Sequence, residues 1–147
     1  MSWDYPISFY FQVQFQNGNK KMNIKFREVS GLQVSRQSTS LDRGGDNENR
    51  VQIPDSFTHT NVVLKRALEP LDEEFTIWVK KSMSLYEKIE TMNMMIFLMN
   101  SHCEAVACWF CGNAYPVKWE ISSFDAMRSE LAIESLEMSY EYFERKK

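Results

Sequence analysis

Residues that carry most enzymatic chemistry are scarce in this chain. Only two of its 147 residues are histidine and three are cysteine. His59 and His102 have no serine, cysteine or carboxylate beside them in a recognisable catalytic motif, and both read as loop histidines. The odd cysteine count lacks the spacing of a disulfide framework, which predicts folding in a reducing cytoplasm. Cys103-x4-Cys108-x2-Cys111 matches the first three ligands of a plant-type iron–sulfur site, but there is no fourth cysteine. The residues between them suit a strand, on which Cys108 and Cys111 point to opposite faces as small core residues. Zinc held through His102 falls short on ligand count. Gly44-Gly45 lacks the longer phosphate-cradling patterns. The residues therefore predict no catalytic centre, no metal and no cofactor, and an enzyme is not expected.

Long hydrophobic runs and positive charge are scarce too. The longest apolar runs, Met94–Met99 and Ala105–Cys111, are broken by Asn100, Ser101, His102 and Glu104, so no membrane insertion is expected. Met1–Pro6 has neither a basic start nor an apolar core and reads as no secretory signal. A net charge of −3 and a pI near 5.5 argue against binding nucleic acid through its phosphates.

What the chain does have is a globular composition, 44% hydrophobic and 14% aromatic, and a length that fits one domain over residues 1–147. Phe9, Phe11, Val13 and Phe15 alternate with Ser8, Tyr10, Gln12 and Gln14, the period of a half-buried strand. Asn17-Gly18-Asn19 signals a turn, and Met22, Ile24 and Phe26 resume the alternation, predicting an antiparallel hairpin with one wet face. Gly31 in Val29-Ser30-Gly31-Leu32 predicts a bulge or bend. Gln33–Leu41 is β-compatible, and Val51–Ile53 and Asn61–Leu68 read as strands. Leu71, Phe75, Trp78 and Val79 switch to helical spacing, with Asp72, Glu73 and Glu74 first and Lys80 and Lys81 last. A helix over about Leu71–Ser82 is expected, with Ile89 as its furthest reach. Met92–Met99 and Ala105–Gly112 predict a buried hairpin, and Pro116 a strand edge or irregularity. Leu131–Phe143 is ambiguous by pattern, with periodicity tipping it towards helix.

Two groups stand out as candidate contacts. Asp42–Arg50, with Asp42, Arg43, Gly44, Gly45, Asp46, Asn47 and Arg50, has too little apolar surface to order itself and reads as a solvated loop. Lys65, Arg66 and Lys118 are cations in strand-like surroundings. Either they lie on a solvated face, or they pair between subunits with an acidic tail strand containing Glu134 and Glu137.

A set of short motifs in fixed order gives these features a context. They are Val29-Ser30-Gly31-Leu32, Arg43-Gly44-Gly45 with Asn47, Leu64-Lys65-Arg66, and Trp78. Then come Trp109, Asn113-Ala114, Pro116, Lys118-Trp119, Ala126, Ala132-Ile133-Glu134 and Leu136-Glu137. In this order they resemble the tail tube protein family of contractile phage tails and the inner tubes of phage-derived injection systems. The family is related to haemolysin-coregulated protein of type VI secretion.

The resemblance implies a mainly β fold with one flanking α-helix, built as a barrel-like pair of packed antiparallel sheets, and it makes Leu131–Phe143 a strand. It implies hexameric rings stacked into a hollow tube that conducts cargo or DNA when a sheath contracts. The implied partners are the contractile sheath, the baseplate or spike, and a tube terminator. Assembly would occur in the bacterial cytoplasm before the subunit becomes part of a phage-tail-like particle. It also favours ordering of the Asp42–Arg50 loop against a neighbouring subunit, with Met1–Pro6 as a second ring-to-ring contact. Arg43 stands where the family commonly has an acid, and Ala67 where it often has glycine. Tyr140–Phe143 and the Met- and Cys-rich stretch from Met92 to Cys111 also depart from the pattern. These departures leave a main tube subunit and an initiator or secreted ring paralogue as alternatives. From a different class, a small-ligand-binding β-barrel would place Phe9, Phe11, Val13, Phe15 and the Met92–Met99 face around a cavity.

Overall fold

The computed structural model describes residues 9–43, 46–68, 74–122 and 132–147. Strands β1 (Tyr10–Asn17) and β2 (Lys20–Phe26) form the expected hairpin, with Gly18 at φ 58° in the turn. Val13 and Phe15 have no exposed surface, and Met22, Ile24 and Phe26 are buried beside them. A short strand β3 (Glu28–Ser30) follows directly and ends at Gly31, whose φ of 89° makes the bend that the sequence predicts.

The chain then leaves the body of the fold. Strands β4 (Val34–Arg43) and β5 (Asp46–His59) pair only with each other, as a separate two-stranded sheet. Their last pair is Arg43 with Asp46, and irregularities fall at Arg36/Ser38 and Leu41/Arg43. The solvated loop expected over Asp42–Arg50 is therefore corrected: Asp42, Arg43, Asp46, Asn47 and Arg50 lie on the strands of a long hairpin. Gly44 and Gly45 lie outside the described residues. A main-chain hydrogen-bond ladder orders strands without needing an apolar pattern.

Strand β6 (Val62–Ala67) returns to the body and leads to helix α1 (Glu74–Ser82). The expected first turn at Leu71–Glu73 lies outside the described residues. The helix stops at Ser82, short of Ile89, and the Ser82 hydroxyl donates back to the Trp78 carbonyl at 2.9 Å. Strands β7 (Met92–Met99), β8 (Ala105–Ile121), β9 (Ile133–Ser139) and β10 (Tyr142–Arg145) complete the fold. The C-terminal segment is thus strand. Glu134, Leu136 and Met138 all face inward, and the charged member of that set hides the period of two.

The topology forms two antiparallel faces that share one long strand. One face runs β2–β1–β7–β8 with β10 on the far side of β8; the other runs β8–β9–β6–β3. The first part of β8 pairs with β7 and β10, and its last part with β9. The turn from one face to the other falls near Asn113, at φ 55°, and the register shift between Pro116 and Lys118. Strands that switch sheets at such irregularities make the corners of a closed β structure. At the opposite corner β2 runs into β3, where Arg27 N–H donates to the Lys65 carbonyl at 2.8 Å.

The core between the faces is filled by side chains. Phe75 and Trp78 from α1 meet the Phe15 ring at centroid distances of 4.9 and 5.5 Å. Val13, Phe15, Met94 and Ile96 have no exposed surface, and Met92 is nearly as enclosed. The cavity required by the ligand-binding alternative is occupied by these packed groups among the described residues. Aromatic and sulfur side chains at this density contribute through both area removed from water and dispersion.

Candidate functional site

The candidate contact residues separate into three groups. Arg66 and Glu134 form the first, and both are almost wholly buried. They are direct partners across β6 and β9, with Arg66 Nε donating to Glu134 Oε2 at 3.0 Å. A terminal nitrogen of Arg66 donates to the Thr76 hydroxyl at 3.3 Å, and its guanidinium lies 5.1 Å from the Phe75 ring centre. Trp119 Nε1 donates to Glu134 Oε1 at 2.6 Å. Neither sequence reading of Arg66 fits this geometry. It is on no solvated face, and its acidic partner belongs to the same chain.

Lys65, Lys118 and Glu137 form the second group, on the outer side of the β8–β9–β6–β3 face. With Val63, Glu120 and Ser135 they line a shallow depression of about 180 Å³. Lys118 pairs with Glu120 at 3.4 Å, and Asn61 Nδ2 donates to Glu137 at 3.3 Å. Both members of the Lys118 pair are more than half exposed, so water screens it. The hairpin residues Asp42, Arg43, Asp46, Asn47 and Arg50 form the third group. Among the described residues no other element packs extensively on that hairpin.

Two features went unnoticed in the sequence. The first is that β2 and β10 each have one side without a strand partner in the described structure. Such edges present rows of main-chain donors and acceptors to any passing strand. The second is an apolar groove of about 660 Å³ beside β10, lined by Val34, His59, Phe110, Tyr142 and Phe143 and rimmed by Glu141 and Glu144. Neither has a local motif, because both depend on strand order.

The histidines and cysteines play structural parts. His59 ends a strand rather than lying in a loop. Its ring stacks on Tyr140 at 4.1 Å, and Nε2 lies 3.3 Å from the Glu141 carbonyl, so that nitrogen carries the proton. Burial pushes the Tyr140 phenol well above its ordinary range, with the Cys111 thiol adding to it, and the hydroxyl donates to the Thr60 carbonyl at 2.9 Å. His102 lies in the β7–β8 turn, where its N–H and that of Glu104 donate to Asn100 Oδ1.

Cys111 belongs to the core, and Cys108 is buried beneath the chain end, where its carbonyl accepts from the Lys146 N–H. Burial pushes the Cys111 thiol up to about 12, and it also raises Cys108 against the opposing charges of Lys146 and Lys147. Only Cys103 is exposed. A thiol-selective reagent at neutral pH is therefore expected to modify one thiol rapidly and the other two only on unfolding. Three fast thiols would show that the β7–β8 hairpin opens. Among the described residues no group of three metal-binding side chains comes together.

A search of curated protein sequences returned no match. Among solved structures, the fold superposes on a chain of the anti-feeding prophage baseplate with a TM-score of 0.80 at 22% identity, covering 99% of this chain and 97% of that one. It superposes on a chain of the PVC sheath–tube complex, an extracellular contractile injection system, with a TM-score of 0.76 at 27% identity, covering 98% and 93%. Hcp1 from Flavobacterium johnsoniae shares the fold more distantly, with a TM-score of 0.52 at 12% identity over 92% and 94%. The low identities of the first and third establish shared architecture alone. The family model for the T4-like virus tail tube protein gp19 matches residues 7–144. With the ordered motifs, the shared strand β8 and helix α1 all falling inside that match, the chain belongs to the tail tube protein family.

Proposed function

We propose that this protein is a structural subunit of the inner tube of a contractile injection system or contractile phage tail. In this reading the whole chain acts as one domain. Six copies close into a ring, and rings stack into a conduit for cargo or DNA that a contracting sheath drives forward. The sheath, the baseplate or spike, and a terminator that caps the tube are its partners. Assembly takes place in the bacterial cytoplasm, and the subunit has no catalytic role.

The observation that carries the reading, beside family membership, is the pair of open edges on one face. A strand edge at each side of the same sheet is the arrangement a head-to-tail ring uses, since β10 of one copy can meet β2 of the next. The β4–β5 hairpin supports stacking. An isolated two-stranded sheet is marginal in water and gains stability on a neighbouring surface. That role extends to Asp42–Arg50, including Gly44 and Gly45, and the exposed Lys118 with the half-buried Lys65 and Glu137 supplies a further polar contact face.

Negative-stain electron microscopy with sedimentation velocity tests this directly. Stacked rings or long tubes are expected for a main tube subunit. Single rings would mark an initiator or secreted ring protein. A protein that stays monomeric at every concentration, with its baseplate and tube partners present, would sink the reading.

A further inference from the structure

Strands β4 and β5 make an arm that is held at its base. Strand β4 is 10 residues long, and among the described residues the arm packs extensively on no other element. A tilt of about 10° at the base would move the far end of ten extended residues, roughly 33 Å away, by roughly 6 Å. The bonds at the base therefore decide where the arm points.

Those bonds converge on the junction between β9 and β10. The chain enters the arm past Gly31, whose carbonyl accepts from the Gln33 N–H at 2.9 Å and from the Thr60 hydroxyl at 3.2 Å. It leaves through His59, the register partner of Val34 at the base of the arm. The Tyr140 hydroxyl donates to the Thr60 carbonyl at 2.9 Å, and the imidazole of His59 lies flat on the Tyr140 ring, with the planes 10° apart. Tyr140 is buried and makes a fixed floor for that ring. His59 Nε2 donates to the Glu141 carbonyl at 3.3 Å, while the Glu141 N–H donates to the Gly112 carbonyl on β8 at 2.9 Å. Glu141 directly precedes β10, so the imidazole is bonded to the start of an open strand edge.

The other ring nitrogen argues for more than packing. His59 Nδ1 is buried and has no hydrogen-bond partner among the described residues. With the proton on Nε2 it is an acceptor without a donor, which costs free energy. Phenylalanine would stack on Tyr140 without that cost. What histidine adds is direction. Its one bond, to one carbonyl, fixes the rotation of the ring on its floor and with it the end of β5.

We infer that His59 is the positioning residue that sets the angle of the β4–β5 arm against β10. This rests on the ring reading. It adds that the edge facing the next copy and the arm facing the next ring are set against one another at His59. A ring built through β10 would then present all its arms at one common angle, which regular stacking requires.

Distances between paired spin labels test this on the dissociated full chain, in a Cys103→Ser background, Cys108 and Cys111 being buried. Labels at Asn23→Cys, exposed on β2, and Gln52→Cys, on β5, report the direction of the arm. His59→Phe keeps the stack and removes the bond to Glu141. It is expected to broaden the label–label distance distribution about two-fold while leaving the thermal melt in place. His59→Gln, which keeps a donor at similar reach, should recover part of the narrow distribution. An unchanged width in His59→Phe would overturn the positioning role. By microscopy, His59→Phe should still close rings but shorten the stacks about ten-fold. Stacks of wild-type length would also overturn the role. Absence of rings from the unsubstituted protein would instead overturn the ring reading, and the label distances would still decide the part played by His59.

Discussion

Replacing Arg66 by methionine is expected to destabilise the fold by about 3–5 kcal/mol, measured by chemical denaturation. The substitution keeps an apolar stem against Phe75 and Phe26 but removes the cation that faces Glu134 inside the protein. The carboxylate is then left charged, buried and short of a donor. That penalty, rather than the lost attraction, dominates the effect, because desolvation of an unpaired ion costs several kcal/mol while the net worth of a buried pair is small. Adding Glu134→Gln should recover about 1–2 kcal/mol, since the amide remains an acceptor for Trp119 Nε1 without a charge. A loss below about 1 kcal/mol for Arg66→Met would mean that water reaches the pair.

Gly31→Ala is expected to cost about 3 kcal/mol or more. Two separate effects add there. The backbone sits at φ 89°, and an added Cβ would overlap the Asn61 carbonyl oxygen, with Val62 Cα 3.4 Å away. Main-chain atoms of a neighbouring strand cannot step aside as a flexible side chain can. Gly18 supplies the internal comparison. Its φ of 58° is also positive, but nothing lies within 4 Å of the added Cβ. Gly18→Ala should cost only about 1–2 kcal/mol, the left-handed backbone penalty alone. Equal losses at the two glycines would show that the Gly31 bend relaxes.

The contrast between these sites bears on what could be read before the structure. Where one face is dry and the other wet, as in β1 and β2, alternation identified the strand and its inward side, except that Phe9, expected inward, lies before β1 and is half exposed; in β6 it identified the strand but not that Arg66 points inward. Arg66 even falls in register with Val62 and Leu64, and its inward direction was available in the alternation. Its partner was not, because Glu134 lies 68 residues away and meets it only through the pairing of β6 with β9. The same inward glutamate concealed the strand character of Ile133–Ser139. The β4–β5 hairpin was legible only in part: Gln33–Leu41 and Val51–Ile53 read as β, but Asp42–Arg50 between them read as loop, because strands held by main-chain bonds leave little apolar pattern to find. The possible extension of the helix to Ile89 does not occur, because helical spacing runs past Ser82 while the helix does not. The contact surfaces were the least legible part, since edges and grooves are properties of strand order. Apart from the open choice between a solvated face and subunit pairing for Lys65, Arg66 and Lys118, the resemblance to the tail tube family was what pointed towards assembly.

Strand β8 has a mechanical consequence. Its 17 residues run unbroken from one face of the subunit to the other. In a sandwich whose sheets meet only through side chains, shear is resisted by packing, which yields as the layers slide. Here the two layers are one covalent ribbon at that corner, and the continuous stretch from Lys20 to Ser30 ties the opposite corner. A thrust applied to one face is carried to the other along backbone bonds, so each subunit behaves as a stiff block. A column of such blocks would concentrate its compliance at the joints between them.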